Sequence, residues 1–311
     1  MQSLNRLFSL ACLALISLSS FAADLVLQPV RVAPDVYAIV GDLDGQSYAN
    51  DGLNSNLGFV VGADGVLVIN AGPSTRVARA LHAAIQKITP KPIRWVVNLN
   101  SQSHNWLGNE YFKQRGVTIL AQSAASKLMH ELGAGQLQAT QGVLKDKAAG
   151  TALAYPSETF DAQRTLQLGN TKIELLHFGS AHTAGDSVVW LPQQKILFAG
   201  DLVFTQRMLA VLPLGYSGGW VKAFDQALAL KPLIIVPGHG KLTDIKTATH
   251  DTRDYLMTLR NGAQAVLAKN GSLQDAVAKT DQSKFTYLLN FELLAKRNMN
   301  QVFTEMERES F

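Results

Sequence analysis

The chain has 311 residues, 47% of them hydrophobic and 17% charged, with 24 Gly, 10 Pro and a single Cys. That balance excludes a disordered chain, a collagen and a coiled coil, and it supplies enough apolar material for a large core. The net charge of +4 is small for the length and no Lys/Arg run exceeds two residues, which argues against a nucleic-acid binder.

Residues 1–23 have the pattern of a secretory leader. Arg6 supplies the charged start, 7–18 is an almost wholly apolar run, and Ser19-Ser20-Phe21-Ala22-Ala23 is a small-residue exit. The run is too short to span a bilayer. Cys12 lies inside it rather than after it, so a lipid anchor is not expected. Cleavage after Ala22 or Ala23 would leave a cysteine-free chain, periplasmic or secreted, with no membrane attachment.

The mature chain then reads as two β-rich halves and a helical tail. Strands are expected at 58–62 and 65–70, joined by a hairpin turn at Ala63-Asp64. Apolar residues Val77, Leu81, Ala84, Ile85 and Ile88 share one face and predict a helix over 74–88, capped by Ser74 or Thr75 and closed by Pro90. A short buried strand follows at 95–98, a helix from 109 to 114 and a strand at 117–121. Residues 127–159 read as helix and then loop. The second half predicts strands at 165–168 and 172–176 about a Gly169-Asn170 turn. Further strands are expected at 187–191, at 195–199 ending on Gly200-Asp201, and at 233–236 stopping at Pro237-Gly238-His239-Gly240. A helix is expected over 220–230. From 247 onward the pattern is almost entirely helical, broken at Asn270-Gly271.

Seven histidines are present: His82, His104, His130, His177, His182, His239 and His250. His82, His130 and His250 read as surface or partly packed imidazoles, and His177 as a packing residue beside Phe178. The other three share a setting with Asp201. Each lies just past a strand end in a loop of small residues, where a rigid scaffold can aim side chains at one metal ion.

Three motifs in order carry a resemblance. Gly179-x-x-His182-Thr183-x-Gly185-Asp186, Phe198-Ala199-Gly200-Asp201 and Val236-Pro237-Gly238-His239-Gly240 resemble the second half of the metallo-β-lactamase-fold hydrolases, and 58–73 resembles the opening motif of that superfamily. Within it, the chain resembles exported members grouped as quinoprotein-relay zinc metallohydrolases. That likeness rests on Asn98, Leu107-Gly108-Asn109, Arg207, Trp220, Arg297-Asn298 and Glu305-Met306-Glu307. The resemblance implies an α/β four-layer αββα sandwich over 24–243, with a helical extension, 244–311, packed on it.

The departures are specific. The family's His-x-His-x-Asp-His motif falls on Asn100, Gln102, His104 and Asn105 in a gap-free alignment, or on Leu99, Ser101, Ser103 and His104 with one insertion. His104 is the one strong ligand left in either case, and the usual Asp of the opening motif is Asn70. His182, Asp201 and His239 match. With one ligand carboxylate remaining, two dications a few ångströms apart would repel strongly, so one ion is expected. Zinc is the expected ion, with iron as the alternative. The implied ligands are His104, Asp201 and His239, with His182 as a fourth ligand or a free base. The implied catalytic residues are His182 and Asp201. The implied activity is attack on an ester, thioester or amide carbonyl by hydroxide on that single metal. Gln102, Asn105 and Arg207 are the expected substrate contacts, with a surface arginine the plain alternative for Arg207.

Two competing readings stand beside this. One is a non-catalytic relative that binds a small molecule or a partner protein. The other is a redox role at iron. The tail's Phe291, Leu294, Val302, Phe303 and Met306 read either as a packing cover or as a homodimer seam.

Overall fold

The computed structural model describes residues 24–309. The leader read at 1–23 lies outside the described residues. Among the described residues no helix is long and apolar enough to cross a membrane.

The first sheet takes its strands in chain order: β1 (Val30–Ala33), β2 (Val36–Ile39), β3 (Leu57–Val61), β4 (Val66–Ile69), β5 (Ile93–Asn98), β6 (Thr118–Gln122) and β7 (Glu158–Phe160). Its first four strands pair antiparallel and the rest parallel. The parallel part needs crossovers, and helices provide them. α1 (Thr75–Gln86) joins β4 to β5, α2 (Ser103–Trp106) and α3 (Asn109–Lys113) join β5 to β6, and α4 (Ser123–Leu144) leads toward β7. The second sheet has the order β12-β11-β10-β9-β8, from β8 (Gln163–Leu168), β9 (Thr171–Leu176), β10 (Val188–Leu191), β11 (Ile196–Phe204) and β12 (Ile234–His239). α5 (Ser217–Leu228) links β11 to its parallel neighbour β12. The tail holds α6 (Ile245–Ala248), a π-helical turn at Thr249–Asp254, α7 (Tyr255–Leu267), α8 (Leu273–Lys279) and α9 (Phe291–Glu309).

Three apolar interfaces stack these layers. Val60, Leu67, Val97 and Leu120 of the first sheet meet Leu168, Leu175, Val189, Phe198 and Val236 of the second. Val77, Leu81 and Ile85 of α1 cover the outer face of the first sheet, and Ser74 caps that helix by accepting from the Val77 amide at 3.3 Å. Trp220, Phe224, Leu256, Leu259, Val302 and Phe303 cover the outer face of the second. Each such side chain, once buried, contributes about 1.5–3 kcal/mol. The expected αββα sandwich with C-terminal helices is the observed architecture. Val302 and Phe303 lie in the core, with Phe291, Leu294 and Met306 packed against it.

The structure corrects several expected elements. β1 and β2 lie where no element was expected, because residues 24–57 have too short an apolar alternation to stand out. The strand expected to end at Gly200-Asp201 continues to Phe204. Gly200, at φ +52°, forms an irregularity in the pairing with β12 that lets the strand kink and go on. β12 likewise runs through Pro237 to His239. It is an edge strand, where a residue without an N–H is tolerated. The last helix starts at Phe291 rather than near Tyr287.

The tail also grips the chain just beyond Asp201. Both Asp251 and Thr252 of the π turn are buried. Thr252 Oγ1 donates to the Phe204 carbonyl at 2.6 Å and accepts from its amide at 3.0 Å. Asp251 accepts from the Gln206 amide at 3.0 Å. Asn298 on α9 donates to the Leu209 carbonyl at 2.7 Å and accepts from the Val211 amide at 2.9 Å.

Candidate metal centre

The centre lies between the two sheets' loop ends. The first sheet sends His104 from α2, a one-turn helix after the 99–102 loop rather than the loop itself. The second sends Asp201 from the kink in β11 and His239 from the end of β12. One ligand atom from each lies within 4.8 Å of the others, and all three residues are buried. His104 Nε2 is 3.2 Å from Asp201 Oδ2, and His239 Nε2 is 3.5 Å from Asp201 Oδ1.

Protonation follows from the partners. The His239 Nδ1 lies 2.6 Å from the Asn54 carbonyl. A carbonyl only accepts, so Nδ1 carries the hydrogen and Nε2, on the Asp201 side, is bare. Burial pushes His239 down to about 3, with the charges of His104 and Arg207 acting the same way and Asp201 opposing them. Burial opposes ionisation of Asp201 too, but the His104 hydrogen bond and the surrounding imidazoles outweigh it, and its carboxyl is held below the usual range. Asp201 Oδ1 is buried without a hydrogen-bond partner. A bare imidazole nitrogen and an orphaned carboxylate oxygen facing one point are what a divalent ion needs, so the residues present fit a metal.

His182 stands apart from this triad. Its Nε2 lies 2.9 Å from Gln102 Oε1, an acceptor, so that nitrogen donates. The ring packs against Phe204 and Trp220, with centroids at 5.4 and 4.9 Å. Burial lowers it to about 4 despite Asp201 nearby. The loop that carries it is tied by Asp186, whose carboxylate accepts from the Thr183 amide at 2.6 Å and the Thr183 hydroxyl at 3.0 Å. Burial pushes Asp186 up to about 7 against those two bonds.

In the 99–105 segment, Asn100 donates to Asp201 and Gln102 bonds His182, whereas Leu99 belongs to the inter-sheet core and Ser103 bonds Gln46. Of the expected substrate contacts, Gln102 is half-buried. Asn105 is fully buried, donating to Asn100 Oδ1 at 2.6 Å and accepting from Ser55 Oγ at 3.3 Å, so its carboxamide is engaged inside the fold. The Arg207 Nη1 lies 3.4 Å from His239 Nδ1 and donates to the Asp44 carbonyl at 3.3 Å. That places it behind His239, on the side away from Asp201. Asn70, at φ +60°, accepts from the Leu99 amide at 2.9 Å and steadies the start of the 99–102 loop. Sequence reasoning did not single out Asn54, Asn100 as a donor, or Trp220 as the wall behind His182. A run of polar residues after a buried strand was the available signal for Asn100.

The metallo-beta-lactamase superfamily model matches residues 50–239, and the chain belongs to that superfamily. Among curated proteins, a metallo-beta-lactamase type 2 of Bacillus sp. (strain 170) is 26% identical over 229 residues, 71% of this chain and 78% of that protein. Among solved structures, a metallo-beta-lactamase from Pontibacter korlensis superposes with TM-score 0.61 at 22% identity, covering 73% of this chain and 97% of that one. The stereoselective inverting sec-alkylsulfatase Pisa1 from Pseudomonas sp. superposes with TM-score 0.69 at 18% identity, covering 89% of this chain and 50% of that one. These two likenesses concern the fold.

Proposed function

We propose that the protein is a metal-dependent hydrolase that works with one divalent ion, zinc, and acts on an ester, thioester or amide carbonyl. The convergence of His104, Asp201 and His239 within 4.8 Å, with Asp201 Oδ1 buried and unpartnered, carries this reading. Membership of the superfamily supports it. The three residues would hold the ion. Once bound, it supplies electrophilic polarisation of a carbonyl and acidification of water.

The chain's own groups supply the rest. His182, neutral and donating, holds the Gln102 carboxamide in place. Gln102 is then the group placed to orient a substrate carbonyl beside the triad. The Asn54 carbonyl fixes the His239 tautomer, and the Arg207 guanidinium beside that ring helps keep it neutral. Small-molecule access is expected along the half-buried Gln102 side. The leader-like start supports action in the periplasm or outside the cell.

Periplasmically expressed protein, dialysed against metal-free buffer, should carry about one zinc per chain by elemental analysis. It should hydrolyse at least one member of a panel of p-nitrophenyl esters, aryl thioesters and activated amides. Folded protein that takes up no zinc, even on reconstitution, rejects the proposal in favour of a non-catalytic binding role. Tightly held iron with visible absorbance would reject zinc and move the protein toward redox chemistry.

A further inference from the structure

The chain beside His182 is apolar and exposed where neither property serves the core. From Met208 to Trp220 no residue is charged. Burial alternates along the first part of this stretch. Leu209 and Val211 are buried in the core shared with the tail, and Ala210 and Leu212 are half-buried. Alternate side chains of an extended segment point to opposite sides, so Ala210 and Leu212 turn away from that core. Leu214 is 58% exposed and Tyr216 39%.

This strip lies along the proposed site. The Ala210 backbone stands beside the His182 ring. Tyr216 donates its amide to the Ala181 carbonyl at 2.8 Å, and a Cβ at Gly215 would come within 2.9 Å of the His182 carbonyl oxygen. The strip therefore crosses His182 from ring to backbone. His182 in turn bonds Gln102, the group placed to orient a substrate carbonyl.

The tail holds the strip at both ends. Asn298 bonds the Leu209 carbonyl and the Val211 amide, and the Leu289 carbonyl accepts from the Met208 amide at 2.8 Å. Glu305 accepts from the Ser217 and Gly218 amides at 2.9 and 3.2 Å and pairs with Arg260 at 2.9 Å. A fixed apolar surface next to a few placed polar groups suits the apolar part of a small ligand. An aliphatic chain laid on it gains by leaving water. A chain ending in a carboxylate loses hydration there, and the strip has no cation to replace it.

We propose that Ala210, Leu212, Leu214 and Tyr216 form a subsite for an uncharged aliphatic acyl chain. The substrates are then esters, thioesters or amides of apolar acids. The proposal rests on the carbonyl hydrolysis proposed above and names its substrate class. Burying one methylene is worth up to about fourfold. Partial burial of the longer chain should make kcat/KM for p-nitrophenyl hexanoate at least about tenfold that for the acetate.

The test compares zinc-loaded native protein with Leu214→Ser, a substitution at an exposed position, with far-UV circular dichroism as the check on folding. Substrates are the p-nitrophenyl esters of acetic, butyric and hexanoic acids and the p-nitrophenyl monoester of adipic acid, which matches hexanoate in length but ends in a carboxylate. A rise in kcat/KM from acetate to hexanoate, a lower value for the adipate and a hexanoate-to-acetate ratio reduced about threefold or more in Leu214→Ser support the proposal. A flat chain-length profile, an adipate as good as hexanoate or an unchanged ratio in the variant overturns it. If no ester turns over, carbonyl hydrolysis fails separately and hexanol binding, read by saturation-transfer NMR, decides the subsite. Transfer that drops in Leu214→Ser supports it, and equal transfer overturns it.

Discussion

His239 and His182 start from the same position and end in different ones. Both come from the second sheet's side of the cleft, both are buried, and burial makes both neutral, at about 3 and about 4. His239 meets a backbone carbonyl on one nitrogen and the Asp201 carboxylate on the other. His182 meets a carboxamide oxygen. Burial alone therefore does not make an imidazole a ligand. The partner on the far nitrogen decides which nitrogen is bare, and the charge across the gap decides whether a cation can sit there.

Exchanging the two rings for Ala gives the largest effect and the most direct way to break that contrast. His239→Ala should bring bound zinc from about one per chain to near zero and abolish hydrolysis. His182→Ala should keep zinc within about twofold while lowering turnover through a loosened Gln102. Elemental analysis of the dialysed variants checks both, and equal metal loss would erase the distinction.

Gly238→Ala tests how closely the His239 strand must approach Asp201. A Cβ there would collide with the Asp201 carboxylate and with the backbone of Gly200 and Asp201. Overpacking of this kind costs about 1–3 kcal/mol. Denaturant unfolding should show that loss, together with weaker zinc binding. Full zinc affinity in a destabilised variant would mean that the strand yields without moving the ligands.

The loop behind His182 and the His239 strand are predicted to respond to pH with opposite sign. His239, lowered by burial from 6.5 to about 3, contributes stability that is present above about 6.5 and lost as pH falls toward about 3. Asp186 is pushed from its ordinary 3.8 to about 7 by burial. The folded state therefore binds a proton that the unfolded chain has lost, and stability contributed by that proton is complete below about 4 and falls away as pH rises through about 7. Asp186→Asn should flatten this slope. Melting temperatures of native and variant protein between pH 5 and pH 8.5 measure it, and a slope equal in both would show that another group sets the pH dependence. The smallest effect is expected at the rim. Breaking the exposed Arg94–Asp64 pair with Arg94→Ala should change stability by no more than about 1 kcal/mol and leave zinc uptake unaltered.

Local chemistry made much of this molecule readable from its residues. Alternating and continuous apolar runs mark β3, β4, β5, β6 and β8 to β10, because a strand's burial pattern is written within a few residues. Ser74 announces α1 because capping is a contact over three positions. Glycine-flanked His182, Asp201 and His239 stand out because close backbone approach needs small neighbours. The tertiary structure alone decided which of those residues converge on one point. His104 and Asp201 lie 97 positions apart, and Asn56 reaches across 181 to bond the Pro237 carbonyl. It also decided that Asn100 turns its NH2 to Asp201 and its carbonyl oxygen to Gln102 and Asn105, and that Asp251, Thr252 and Asn298 of the tail fix the segment after Asp201. A hydrogen bond's direction depends on what stands opposite, and in this protein the opposite groups are brought there by the packing of two sheets.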